Sequence, residues 1–149
     1  SSDAEVFDAT GYYILPGFID LHSHLREPGE THKETIHSGT LAAAKGGYTH
    51  IVAMGNTKPP VSNEEVYSSL QKIIRDESII TVTQAGTITD QLEGKFLSPL
   101  LLQSILHVYS DDGKGVASTA LLKEALIIAK SAGMVLILHE EDQKIIRSE

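Results

Sequence analysis

The sequence predicts an α/β fold built on a parallel sheet, and three observations carry that expectation. Short apolar runs alternate with amphipathic stretches along most of the chain, the pattern of strands joined by crossover helices. The first and last runs are almost wholly apolar up to their final residue, as in strands buried on both faces, which suit a barrel or a doubly wound sheet. The stretches between carry helical spacing and helical start and stop residues.

Taken in order, residues 1–14 stand apart from the alternation; Val6, Ala9 and the pair Tyr12-Tyr13 read as a short β piece from a different layer. The apolar runs are Gly17–His22, Thr49–Met54, Ile79–Ala85, Ile105–Tyr109 and Val135–His139, each expected as a strand. Thr35–Lys45 is Ala-rich and halts at Gly46-Gly47, a C-terminal stop for a helix. Ser62–Asp76 opens with Ser62 and Glu65 in capping-box spacing and sets Val66, Leu70, Ile73 and Ile74 on one helical face. Leu97–Ser104 is a shorter helix with Pro99 in its first turn. Ser118–Ala132 aligns Leu122, Ala125, Leu126 and Ala129 in one stripe and ends at Gly133.

Composition narrows the function classes. The 149 residues have the size of one ordinary domain, 41% hydrophobic and 21% charged. With no cysteine there is no disulfide, thiolate metal site or cysteine nucleophile, so a metal must be held by His and carboxylate. A net charge of -8 argues against a nucleic-acid partner, because a phosphate backbone needs a basic surface. No apolar run approaches the roughly 20 residues of a membrane span. The N-terminus lacks the basic and apolar regions of a signal peptide, so a cytoplasmic location is expected.

The chemistry gathers at the carboxyl ends of the expected strands. His22 and His24 close the first run, and residues two apart on a strand face the same way. Two imidazoles side by side are zinc ligands in waiting. Arg26 adds a cation where that strand runs out, before the turn at Pro28-Gly29. Asn56 follows the second run, Asp111 and Asp112 the fourth, and His139 ends the fifth. Asp112-Gly113 and Asn56 taken singly suit ordinary turns, and His139 suits a helix start; their shared edge favours a site, since that edge carries ligands in parallel α/β folds. His32, His37, His50 and His107 show no such placement and read as solvated or structural. Two His and a carboxylate with open positions form a hydrolytic zinc arrangement. A further His on another strand end, with an Asp between, points to two metals bridged by Asp112. Arg26 and Asn56 then suit an anionic group on the substrate, most simply a carboxylate.

These motifs resemble those of the amidohydrolase superfamily and, within it, the type I dihydroorotases. The segment P-G-F-I-D-L-H-S-H-L-R-E-P-G (16–29) is similar to that family's metal-and-arginine signature, and G-G-Y-T-H-I-V-A-M-G-N-T-K-P (46–59) to its second motif, where Pro is usual at the position of Gly55. S-D-D-G (110–113) and L-H-E-E-D (138–142) resemble its fourth and fifth strand ends. The resemblance implies the first five strands of a (β/α)8 TIM barrel over residues 15–149, with residues 1–14 the end of a small N-terminal β-sandwich domain. It implies His22 and His24 as ligands of a first zinc, Asp112 as the metal-bridging carboxylate, His139 as a ligand of a second zinc, and Arg26 and Asn56 as substrate-binding residues. The implied reaction interconverts N-carbamoyl-L-aspartate and dihydroorotate in de novo pyrimidine biosynthesis, with a homo-oligomer or a pyrimidine-pathway enzyme as the protein partner.

The departures from the family also set expectations. No lysine lies in Ile105–Ser110, which favours the Asp-bridged type over hydantoinases and dihydropyrimidinases with a carboxylated lysine. An allantoinase is the alternative enzyme, but Arg26 suits a substrate carboxylate that allantoin lacks. A metal-less relative acting as an assembly partner is the non-enzyme alternative, and the intact His22, His24, Asp112 and His139 set weighs against it. The family's third metal-ligand His and its general acid/base Asp belong to later strands, so residues 1–149 alone are expected to be inactive.

Overall fold

Why the first run extends is plain from its composition: Phe18, Ile19 and Leu21 are strand formers, and a Pro-Gly pair precedes them. In the computed structural model, which describes residues 4–139 and residue 141, this run is strand β1 (Phe18–Ser23). Strand β2 (Tyr48–Ala53) lies parallel to it, with Ile19 opposite His50 and Ser23 opposite Ala53, and the register slips between Asp20 and Ser23. Strand β3 (Thr81–Gln84) is parallel to β2 throughout. Strands β4 (Val108–Tyr109) and β5 (Val135–Leu136) form a second parallel pair. A parallel bridge between Gly86 and Tyr109 links the two sets. There Gly86 N–H donates to the Val108 carbonyl (3.0 Å) and Ser110 N–H to the Gly86 carbonyl (2.9 Å). The strands therefore follow chain order, and their carboxyl ends share one edge.

The helices obey their local signals with two corrections. Helix α1 (Ile36–Lys45) starts from Thr35, whose side chain and that of Ser38 cap each other's backbone. Helix α2 (Glu64–Glu77) is capped by Asn63 and not by Ser62: the Asn63 carboxamide oxygen accepts from Val66 N–H at 3.0 Å. Ser62 is instead fully buried and accepts from the Gln91 amide at 2.8 Å. The short helix α3 (Pro99–Leu102) places Pro99 in its first turn, where its missing N–H costs nothing. Helix α4 (Thr119–Ala132) begins at Ser118 and ends at Gly133 in the left-handed conformation, φ 68°. Its buried stripe is rotated from the expected one: Ala125 and Ala129 are buried, Leu121 and Ile128 flank them, and Leu126 is 46% exposed.

Alternation along β2 divides the apolar residues between two layers. Ile51 and Ala53 face the helices and pack with Leu70, Ile74, Leu100 and Tyr109. Val52 and Met54 face the other way and join Ala85, Val108 and Ile137 in a smaller cluster beneath the strand ends. The N-terminal segment differs from expectation. Among the described residues before β1 there is no strand, and Val6 and Tyr13 are 89% and 96% exposed. A strand needs a neighbour to take its backbone hydrogen bonds, and here the segment makes only a turn, Tyr12 N–H to the Ala9 carbonyl at 3.0 Å. Among the described residues no helix is long and apolar enough to cross a membrane.

Candidate metal centre

Three strand ends deliver the site. His22 lies on β1 and His24 just beyond it, their rings 5.2 Å apart between centroids. The pair is held level with β2 by Met54 N–H donating to the Ser23 carbonyl at 2.9 Å. Asp112 follows β4 and adopts a left-handed backbone, φ 50°, with its N–H donating to the Ser110 hydroxyl at 3.0 Å. His139 comes three residues after β5, its ring 5.7 Å from that of His22.

The donor atoms converge on one point. Asp112 Oδ1 lies 2.9 Å from His22 Nε2, 3.8 Å from His24 Nε2 and 3.5 Å from His139 Nε2. Two ligands of one tetrahedral zinc stand about 3.4 Å apart when each bond is about 2.1 Å, so the His24 and His139 distances are those of groups sharing an ion. His22, His24 and Asp112 together present one ligand atom each within 4.8 Å of one another. Imidazoles around a carboxylate are a donor set that can hold a metal ion.

Asn56 also reaches this cluster. Its carbonyl oxygen is 3.0 Å from His24 Nδ1, and its amide nitrogen donates to Asp112 Oδ2 at 2.7 Å. The sequence marked Asn56 as a strand-end residue, but its two partners are 32 and 56 positions away and depend on the sheet order. Arg26 stands two residues beyond His24 with a positive φ of 55°. Among the described residues its guanidinium has no carboxylate partner. The Arg26 turn is braced from β2's far end: Glu30 accepts from Lys33 and from Lys58 (3.1 Å), and these two ammonium groups hold its carboxyl down to about 2.

The buried Asp111 does different work from its neighbour. It is 2% exposed and accepts from the Thr89 N–H (2.9 Å) and the Thr89 hydroxyl. Burial raises its pKa, against the lowering effect of those hydrogen bonds. Asp111 thus ties the end of β4 to the segment after β3, and only Asp112 faces the histidines. Of the other histidines, His50 bonds the Thr83 hydroxyl at 2.8 Å and His37 the Glu77 carbonyl at 3.2 Å, which are structural contacts. A cleft of about 280 Å³ adjoins the cluster, lined by Asp112 and His139 together with the apolar Val116, Leu122 and Ile137. Glu140 and Asp142, which flank Glu141 in the fifth motif, lie outside the described residues.

Comparison with known proteins places the chain in a family. Residues 11–148 match the family model described as dihydro-orotase-like. A dihydroorotase of Thermoanaerobacter sp. (strain X514) is 41% identical over 144 residues, 95% of this chain and 33% of that protein. A dihydroorotase of Streptococcus pneumoniae serotype 4 is 45% identical over 141 residues, 93% of this chain and 33% of that protein. The chain thus spans about a third of the length of the curated relatives it matches. Among solved structures, the L-hydantoinase (dihydropyrimidinase) of Arthrobacter aurescens superposes with a TM-score of 0.78 at 21% identity, over 97% of this chain and 34% of that one. That likeness concerns the fold, an α/β architecture with parallel strands. The chain belongs to the dihydro-orotase-like family.

Proposed function

We propose that this chain contributes the first strand-end groups of a zinc-dependent cyclic amidohydrolase that interconverts N-carbamoyl-L-aspartate and dihydroorotate in cytoplasmic de novo pyrimidine biosynthesis. In this reading residues 15–149 are the first five strands of a (β/α)8 barrel, and residues 1–14 are the end of a preceding small β domain. The observation that carries the proposal is the convergence of His22, His24 and His139 on Asp112, in a chain about 40% identical to proteins named dihydroorotase.

His22, His24 and Asp112 would hold a first zinc, and Asp112 and His139 a second. Zinc bound there supplies Lewis acidity that ionises water and polarises a carbonyl at neutral pH. The chain's own groups do the rest. Asp112 would be the carboxylate shared by the two positions; its Oδ1 faces His22, His24 and His139, and its Oδ2 accepts from Asn56. His24 keeps its Nε2 lone pair toward the site because its Nδ1–H is spent on Asn56. Arg26, two residues beyond His24 and without a carboxylate partner among the described residues, presents a permanently charged fork that suits a carboxylate met by two parallel hydrogen bonds. Asn56 has one amide N–H left after Asp112 and can add a donor to the same group. Both N-carbamoyl-aspartate and dihydroorotate carry a carboxylate that the reaction leaves unchanged.

The test separates the metal from the substrate. Arg26→Ala in the full-length, zinc-loaded enzyme should raise KM for carbamoyl-aspartate by about 10–100-fold, as expected for loss of one charge-assisted pair, while zinc content stays at the wild-type level. Zinc lost from that variant with KM unchanged would refute the role given to Arg26. A full-length wild-type enzyme that binds zinc yet turns over neither compound would refute the activity.

A further inference from the structure

We propose that Asn56 is a positioning residue of the metal centre, fixing the tautomer of His24 and the rotation of Asp112. This deepens the metal-centre reading above and rests on it. The two bonds define the amide's orientation without ambiguity. A carboxylate oxygen only accepts, so the NH2 of Asn56 must face Asp112 Oδ2, 2.7 Å away. The carbonyl oxygen then faces His24 Nδ1 at 3.0 Å, and that nitrogen must carry the proton. His24 is thereby left with a lone pair on Nε2, the atom 3.8 Å from Asp112 Oδ1. That separation is too long for a hydrogen bond and right for two ligands of one ion. One side chain from the end of β2 thus sets a ligand from β1 and a ligand from β4 against each other.

The backbone beneath Asn56 is built to hold this pose. Gly55 sits so close to the neighbouring strand end that a Cβ there would meet the Ala85 carbonyl at 2.9 Å. The Gly55 carbonyl accepts from Val61 N–H at 2.9 Å, and the Thr57 hydroxyl donates to the Pro59 carbonyl at 2.7 Å. These bonds close the turn on both sides of Asn56. Asp112, with φ 50°, holds a backbone conformation unfavourable for a residue with a side chain. Its carboxylate is kept on target by Asn56 at Oδ2 and by the histidines at Oδ1. A side chain that served substrate alone would have no reason to spend its carbonyl oxygen on a metal-ligating imidazole.

The experiment reads zinc directly. The zinc-loaded wild-type protein, Asn56→Ala and Asn56→Asp are titrated with a chelator of known affinity, and each variant's fold is checked by circular dichroism. Asn56→Asp keeps the volume and the acceptor for His24 but sets a second carboxylate against Asp112. Zinc affinity should fall by about 10–100-fold in Asn56→Ala, the usual effect of losing an outer partner of a metal ligand, and at least as far in Asn56→Asp. The ring 15N shifts of His24 in the zinc-free protein should report the Nδ1–H tautomer in wild type and a mixture in Asn56→Ala. Unchanged zinc affinity and tautomer in Asn56→Ala, with only KM raised, would overturn the inference and leave Asn56 to the substrate. A wild-type protein that takes up no zinc would overturn the metal-centre reading and this inference with it.

Discussion

At the scale of single residues, the site depends on how closely two strand ends approach. Gly55 is the residue that permits it, since any Cβ would meet backbone atoms of Ala85, Gly86 and Thr87 at 2.9–3.3 Å. Those neighbours are main chain and cannot swing aside as a flexible side chain would. Gly55→Ala should therefore cost about 1–3 kcal/mol of stability, the usual range for overpacking, and should weaken zinc binding because Asn56 is the next residue. Urea denaturation alongside a chelator titration checks both; a variant matching wild type in each would show that the strand ends can part freely. The Pro expected at this position from the family resemblance would carry a Cβ toward the same carbonyl, so Gly55→Pro is not a neutral exchange on this backbone. The sequence reveals the residues of the cluster more readily than their bonds. His22 and His24 were legible because the period of a strand is two, Asp112 because it follows an apolar run and His139 because it ends one. The partners of Asn56 were not, because proximity to His24 and Asp112 is a property of three strands in register.

At the scale of elements, the buried Tyr109 joins two parts of the fold. It lies on β4 with no exposed surface, its hydroxyl donating to the Leu100 carbonyl and accepting from Leu106 N–H, both at 2.8 Å. The loop between α3 and β4 is thus closed by a side chain from the strand it leads into. This also explains why β4 is only Val108–Tyr109 where the sequence predicts a strand from Ile105. The backbone of Leu106 bonds to the tyrosine and not to a neighbouring strand. Tyr109→Phe keeps the ring and strips both partners, so it should destabilise by about 1–3 kcal/mol, the cost of stranding buried polar groups. Equilibrium urea unfolding is the measurement, and a loss under 0.5 kcal/mol would mean that water or a shifted loop replaces the hydroxyl. Helix ends were largely legible for a local reason: Thr35, Ser118 and Gly133 act within one turn of their own positions. Ser62 misled because Asn63, one residue on, offers an equally good cap while Ser62 finds a buried partner in Gln91. Leu126 misled because Ala125 and Ala129 let α4 approach the core on a stripe centred one residue away.

At the scale of the whole molecule, the sheet leaves its apolar flanks uncovered. On β1, Phe18, Ile19 and Leu21 are 53%, 60% and 65% exposed, and on β5 Val135 is 56% exposed. The N-terminal segment adds Phe7, Tyr12, Tyr13 and Ile14, each at least 75% exposed. The ordered parallel strands were legible from the alternation of runs, and so was the openness of the first and fifth, because five strands are too few to close a barrel and leave their outer members as apolar edges. Contiguous apolar surface of this kind, next to strands with open backbone donors and acceptors, favours association. Residues 1–149 produced alone should therefore form dimers or larger species, and should bind a hydrophobic dye such as ANS. A net charge of -8 opposes association at low salt through self-repulsion. Raising the salt concentration from about 50 to 500 mM should screen that repulsion and shift the population upward. Light scattering coupled to size separation, run at both salt concentrations, decides the matter. A monodisperse monomer that binds no dye at either would show that these side chains find cover within the chain itself. Association that melts away with Ile19→Lys, a charge placed on β1, would locate the contact on the strand that carries His22 at its far end.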